Sequence, residues 1–195
     1  IPTFVSGELH GKPALLQYIP GKHVLQYGSA TERKEVTLQV SGDYPKTGDF
    51  TIEIQLAQAD QFPLVLRVPP WAEGFVATIN GNEYTPSRSR LLQIDRVWSP
   101  GDKLHVTIPL ETRVVPDGDK TTEAVAFVRG PQVLATDTAI DDAGSVPGTD
   151  WWGDITYTRI AGQNGVETQF QLVPFADAGQ NKAEYRVLHD GIETD

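Results

Sequence analysis

Apolar and polar residues alternate along most of this chain, and the alternation has a period of two. Glu35-Val36-Thr37-Leu38-Gln39-Val40 switches at every step, and Phe50, Ile52, Ile54 and Leu56 share one side of the next run. Successive side chains of a strand point to opposite faces, so these runs predict half-buried β-strands. Apolar or alternating runs over 14–19, 24–27, 62–68, 75–79, 91–94 and 103–108 predict further strands in the first part of the chain. Runs over 123–128, 132–135, 155–160, 168–173 and 183–188 do the same in the second. No window places apolar residues at helical spacing between caps.

The breaks between these runs are turn chemistry. Pro20-Gly21, Gly28-Ser29, the cluster 41–48, Pro69-Pro70, Pro100-Gly101 and Gly130-Pro131 each end a run. Asn80-Gly81 lies between apolar segments and predicts a tight hairpin, because both residues tolerate positive φ. About a dozen short strands with frequent turns imply an all-β fold of antiparallel β-sandwich or jelly-roll units. Two units packed in tandem are expected, 1–114 as the first sandwich domain and 115–195 as a second, smaller one.

Charge and cysteine count narrow the chemistry. The 195 residues carry 26 acidic and 16 basic side chains, a formal net charge of −10. Such a chain repels nucleic-acid phosphates and anionic membranes alike. The cysteine count is 0, which removes disulfides, zinc–thiolate sites and thiol nucleophiles together and leaves the compartment unreported. The start Ile1-Pro2-Thr3-Phe4, in a chain with no Met, reads as an excised domain or a processed product.

The spacings of the common catalytic motifs are absent: no phosphate loop, no H-E-x-x-H, no G-x-S-x-G and no EF-hand loop. His10, His23, His105 and His189 are far apart, and His105 falls on the strand face opposite Leu104 and Val106, which reads as a solvent-facing or sheet-packed side chain. The acidic stretch 137–154 reads as a long solvated loop, although two carboxylates across a sugar would suit a glycosidase. That loop, or Asp117-Gly118-Asp119, offers oxygen ligands for Ca²⁺, but at no standard spacing. Trp71 and Trp98 stand at strand ends beside prolines and read as lids on the core. Trp151-Trp152 is different. Adjacent residues of an extended backbone point apart, and these two sit among Asp150, Gly153 and Asp154. At least one indole is therefore expected at the surface or at an interface, against a sugar or a partner domain, unless the pair simply caps a sheet.

The motifs then fall into an order. Leu16-Gln17-Tyr18-Ile19-Pro20, Asp43-Tyr44-Pro45, Leu66-Arg67-Val68-Pro69-Pro70-Trp71-Ala72 and Ile79-Asn80-Gly81 are followed by Trp98-Ser99-Pro100-Gly101-Asp102 and Ile108-Pro109-Leu110. Arg129-Gly130-Pro131-Gln132-Val133 and Leu172-Val173-Pro174-Phe175 complete the series. No single motif is specific, but the ordered set resembles the C-terminal β region of glycoside hydrolase family 127, the β-L-arabinofuranosidase-like proteins. Val68 and Pro70 stand where Ile and Ser are usual there, and Leu110 where Met is common.

The resemblance implies a helical (α/α)₆ catalytic barrel followed by two β-sandwich domains. It implies a cysteine nucleophile, a Zn²⁺ held by cysteines and a glutamate, and a glutamate acid/base, all in the barrel. None of these transfers to a chain without cysteine or barrel. The expectation is therefore a non-catalytic region with no catalytic residue, metal or cofactor of its own, packing on and shaping a separate barrel. Trp151, Trp152, Asp150 and Asp154 are its candidate interface or carbohydrate residues. The alternative is a free-standing module that binds a neutral carbohydrate through Trp151 and Trp152; a complete small hydrolase with an acidic pair is a third reading. An apolar patch on one outer sheet face would favour the scaffold, and a concave aromatic groove the binding module.

Overall fold

The alternating runs become strands whose inward residues meet across two sheets. A computed structural model of the chain describes residues 5–116, 125–137, 156–161, 166–178 and 185–189. It divides into two compact units, Ile1–Leu110 and Glu111–Asp195. Among the described residues there are strands, turns and one short 3₁₀ segment, so the fold is all-β with antiparallel sheets.

In the first unit the strands are β1 (Ser6–Leu9), β2 (Lys12–Leu15), β3 (Gly21–Gly28), β4 (Arg33–Gly42) and β5 (Asp49–Gln55), then β6 (Asp60–Arg67), β7 (Val76–Ile79), β8 (Asn82–Tyr84), β9 (Leu91–Trp98) and β10 (Lys103–Thr107). They form a four-stranded sheet, β1-β2-β6-β9, and a six-stranded sheet, β3-β4-β5-β10-β7-β8. One pairing departs from the antiparallel pattern, since β2 and β6 run parallel with Ala14 beside Val65. Leu15, Phe62, Leu64, Leu66, Leu92, Ile94 and Trp98 from the smaller sheet share one buried cluster with Val36, Leu38, Ile52, Ile54, Ala77, Leu104 and Val106 from the larger. Both inner faces thus supply a single core, the arrangement of a β-sandwich. Each such aliphatic contributes about 1.5–3 kcal/mol on burial.

Two connections show how the sequence fixes this layering. At the β9 end Trp98 is fully buried, and its indole N–H donates to the Phe62 carbonyl at 3.0 Å. The chain then turns through Ser99–Asp102, where the Ser99 N–H donates to Asp102 Oδ2 and the Asp102 N–H to the Ser99 carbonyl, both at 3.0 Å. Gly101 N–H and the Asp102 carbonyl bond to the Ile54 carbonyl and N–H, each at 2.8 Å, tying the corner to the other sheet. At the start of β5 the backbone of Gly48 lies against Ile108, whose N–H donates to the Gly48 carbonyl at 2.9 Å. A Cβ built at Gly48 overlaps the Ile108 carbonyl, so only glycine fits this close approach.

The expected Asn80-Gly81 hairpin is present, with φ of 50° and 80° and Ile79 paired to Asn82. The strand expected over 14–19 is shorter. It ends at Leu15, because the next two amides, Leu16 and Gln17, both donate to the Val5 carbonyl at 2.8 and 2.9 Å. The backbone bends there, and Tyr18 drops into the core instead of continuing the ladder.

The second unit contains β11 (Thr112–Pro116), β12 (Val125–Arg129), β13 (Gln132–Asp137), β14 (Thr156–Ala161), β15 (Val166–Gln171), β16 (Val173–Pro174), β17 (Tyr185–Arg186) and β18 (Leu188–His189). Strands β11-β12-β13-β16 form one sheet, β17 and β18 pair with β13 and β12, and β14-β15 form a hairpin. Val125, Phe127, Leu134, Ala135, Leu172 and Val173 are its described buried apolar residues. Gly130-Pro131 makes the turn expected of it, closing β12 onto β13 with Arg129 opposite Gln132.

Trp98 is the lid the sequence suggested, whereas Trp71 is only partly buried against the same core. Trp98→Ala is expected to lower unfolding free energy by about 3–5 kcal/mol. Trp98→Phe, which mainly strands the Phe62 carbonyl, is expected to cost about 1–3 kcal/mol. Urea unfolding followed by far-UV circular dichroism measures both, and a Trp98→Ala chain that unfolds with the wild type would contradict the role of this corner.

Candidate functional site

The two outer faces of the first unit differ in chemistry. On the six-stranded sheet the outward positions include Thr37, Gln39 and Ser41 on β4, Thr51, Glu53 and Gln55 on β5, and Lys103, His105 and Thr107 on β10, with Val24 on β3 and Val76 on β7 beside them. These residues serve one another: Thr107 Oγ1 donates to Asp49 Oδ1 at 2.7 Å, and Thr51 Oγ1 lies 3.1 Å from His105 Nδ1. His105 is exposed, the solvent-facing one of its two readings. They border a shallow concavity of about 350 Å³ that offers hydroxyls and an imidazole but no exposed aromatic ring.

The outward face of the four-stranded sheet carries Leu9, Ala14, Pro63, Val65, Leu91 and Val97 together with Lys12, Gln61, Arg67, Gln93 and Asp95. Ala14 and Val65 are almost fully buried although they lie outside the sandwich core, while Leu91 and Val97 are 37% and 55% exposed. Lys12 Nζ donates to Gln93 Oε1 at 2.6 Å, reaching from β2 to β9 across the intervening β6. The apolar residues of this face have a sequence signal, the unbroken run Phe62-Pro63-Leu64-Val65-Leu66. A strand with apolar residues on both phases is one that covers both faces. Leu91 and Val97, out of phase with the buried Leu92, Ile94 and Trp98, carry the same signal.

The motif residues are occupied with architecture. Tyr18 hydroxyl donates to the Arg67 carbonyl, and burial pushes its ionisation far up. Its ring packs on Phe50 at 4.5 Å between centroids and edge-on to Tyr44 at 5.9 Å, which joins the first two motifs in one aromatic group. Arg96 stacks 5.2 Å from the Trp98 ring and pairs with Asp102 at 3.6 Å, so the Trp-Ser-Pro-Gly-Asp segment and its preceding arginine brace each other. Asp60, at the start of β6 in the smaller sheet, accepts at Oδ2 from Tyr27 on β3 at 2.9 Å and from Lys34 on β4 at 2.8 Å, across to the larger sheet. The Lys34 bond, then the Tyr27 bond, hold the Asp60 carboxyl below its usual range. Burial, then the Asp60 contact, pushes Tyr27 up to about 12.

Among the described residues no group of three His, Asp or Glu side chains is placed to hold a metal. Trp151, Trp152, Asp150 and Asp154 lie outside the described residues, as does Asp117-Gly118-Asp119. A second concavity, of about 560 Å³, lies between the β6–β7 and β8–β9 connections.

Residues 16–110 match the family model described as "Beta-L-arabinofuranosidase, GH127 middle domain", which makes this stretch a GH127-related region. Among solved structures, a GH127 β-L-arabinofuranosidase from Geobacillus stearothermophilus T6 superposes with a TM-score of 0.72 at 18% identity, covering 96% of this chain and 35% of that one. A GH127 β-arabinofuranosidase gives 0.68 at 18% identity over 92% of this chain and 35% of its own. A structure described as a glycoside hydrolase gives 0.66 at 17% identity, with 92% and 36% covered. The chain thus spans about a third of the length of these solved relatives. No curated protein sequence matches it.

The Tyr27–Asp60–Lys34 cluster sets a pH response. The raised Tyr27 value means that its contribution is complete below the usual tyrosine value near 10 and is lost as pH rises toward about 12. The lowered Asp60 value works in the opposite sense, its contribution being present above the usual carboxylate range and lost as pH falls through the folded value. Tyr27→Phe is expected to flatten the alkaline limb of a stability–pH profile and Asp60→Asn the acid limb. Urea midpoints across pH check this, and unchanged limbs would refute it.

Proposed function

We propose, for a chain whose residues 16–110 form a GH127-related region, that it is a non-catalytic β-sandwich scaffold which packs on and shapes a separate helical (α/α)₆ catalytic domain. The observation that carries this reading is the asymmetry between the outer sheet faces. The six-stranded face is mostly polar, with Val24 its exposed apolar residue. The four-stranded face offers Leu9, Pro63, Leu91 and Val97 around buried Ala14 and Val65, interleaved with Gln61, Arg67, Gln93 and Asp95, a mixed composition that suits a surface meeting a partner. The share of the solved relatives left uncovered supports the presence of such a partner in the parent protein. In this reading Trp151, Trp152, Asp150 and Asp154 belong to the same docking role, and the parent's activity on an arabinofuranoside resides in the helical domain.

The chain has no thiolate, and its described residues gather no His–carboxylate set. It is therefore expected not to hydrolyse aryl arabinofuranosides, with or without added Zn²⁺. Turnover that survives repurification and disappears with mutation of Asp150 or Asp154 would overturn the scaffold reading.

Docking is tested by charge insertion. Val97→Asp and Leu91→Asp alter exposed residues, so each is expected to leave the unfolding free energy within about 0.5 kcal/mol of wild type. Each is also expected to weaken association with the separately produced helical domain about tenfold or more, because a carboxylate is then buried without a partner. Sedimentation velocity on the mixtures reads this out. Equal association of wild type and both variants would reject the four-stranded face as the docking surface.

A further inference from the structure

The concavity of about 560 Å³ has walls that are rigid and locally cationic. One wall is the β6–β7 connection, with Pro69, Pro70 and Glu73; the other is the β8–β9 connection, with Pro86, Arg88 and Arg90. The Val68 N–H donates to the Arg90 carbonyl at 2.7 Å, which clamps one wall to the other. The Ala72 N–H closes a turn onto the Pro69 carbonyl at 3.0 Å, and the three proline rings fix their own φ. Arg88 holds a φ of 65°, a conformation that side-chain-bearing residues adopt only where the surroundings enforce it. A cleft ordered in advance loses little entropy when a ligand enters.

Its charge runs against that of the molecule. The chain has 26 acidic and 16 basic residues, yet the cleft gathers Arg88 and Arg90 against Glu73 alone. The described ion pairs of the chain are made by Arg33, Lys34 and Arg96, so neither cleft guanidinium is spent on a carboxylate there. Both arginines are exposed. The lining is confined to the two connections, and beside the arginines and Glu73 it offers only the small polar side chains of Thr85 and Ser89. The sole aromatic ring in the lining is Phe75, 2% exposed, so no platform is offered to a sugar face.

We infer that this cleft binds an acidic peptide segment, whose carboxylates engage Arg88 and Arg90. Guanidinium groups bind carboxylates bidentately, and that geometry selects Asp or Glu side chains over a diffuse anion. The surface is separate from the apolar outer face of the four-stranded sheet and does not rest on the docking proposed above.

The test is fluorescence anisotropy of a labelled peptide of alternating glutamate and valine against the full chain, with lysine–valine and serine–valine peptides as controls. Saturable binding of the acidic peptide alone is expected, weakened by added salt. Arg88→Gln and Arg90→Gln are each expected to weaken it about tenfold or more. Glu73→Gln, which removes the one acid from the cleft, is expected to tighten it. That gain keeps the proposal falsifiable should either arginine variant fold poorly. No saturable binding, equal binding of all three peptides, or indifference to both arginine substitutions would overturn it. So would an oligogalacturonate that binds more tightly than the acidic peptide, since the site would then belong to anionic sugars.

Discussion

The corner at Trp98–Asp102 is the constraint on which the first unit depends. A sandwich needs its chain to leave one sheet and enter the other without exposing the core at the crossing. Here the crossing is made by the residue that fills the core end, Trp98, whose N–H is satisfied by the Phe62 carbonyl of the neighbouring strand. The next four residues are tied to each other and to the Ile54 backbone of the opposite sheet. Register in the smaller sheet, where Trp98 faces Asp60, and in the larger, where Lys103 faces Glu53, is therefore set by one short segment. A slip of one residue in either sheet would turn its whole apolar set outward.

That dependence explains why the ordered motifs identify a fold more readily than a chemistry. Tyr18 is held by a backbone carbonyl, Gly48 by a close backbone approach, and Asn80-Gly81 by a turn with positive φ. None of these positions presents a reactive group to a cavity. Similarity confined to such residues transmits architecture, and the solved relatives agree with this unit in shape at 17–18% identity.

What the alternation revealed, and what it hid, follows from the same physics. Strands of the six-stranded sheet were legible because one face is buried and the other is wet, so Val36, Leu38 and Val40 stand out against Glu35, Thr37 and Gln39. Short edge strands were not: Ser6–Leu9 and Asn82–Tyr84 bury too few residues to show any period. The parallel pairing of β2 with β6 was hidden as well, because strand direction leaves no trace in a two-residue repeat. Val65 and Val97 were visible as apolar residues, yet their place on an outer face became clear only with the register. Arg88 and Arg90 were silent in the sequence, since a cleft between segments separated by two strands has no local pattern. The tryptophan pair at 151 and 152 stands out through its adjacency and its polar neighbours Asp150, Gly153 and Asp154.

The two distinctive surfaces of the first unit obey different physics, and that difference bears on how such a domain works inside a larger protein. Contact through Leu91 and Val97 is driven by removal of apolar area from water, which salt does not screen. Contact through Arg88 and Arg90 is electrostatic, acts over roughly 8–10 Å at moderate ionic strength and fades as salt rises. An apolar face suits permanent packing, whereas a cationic cleft on an acidic molecule suits an occupant that can leave. On the proposals above, salt therefore separates the two contacts: it weakens the one made by Arg88 and Arg90 and leaves the one made by Leu91 and Val97 unscreened.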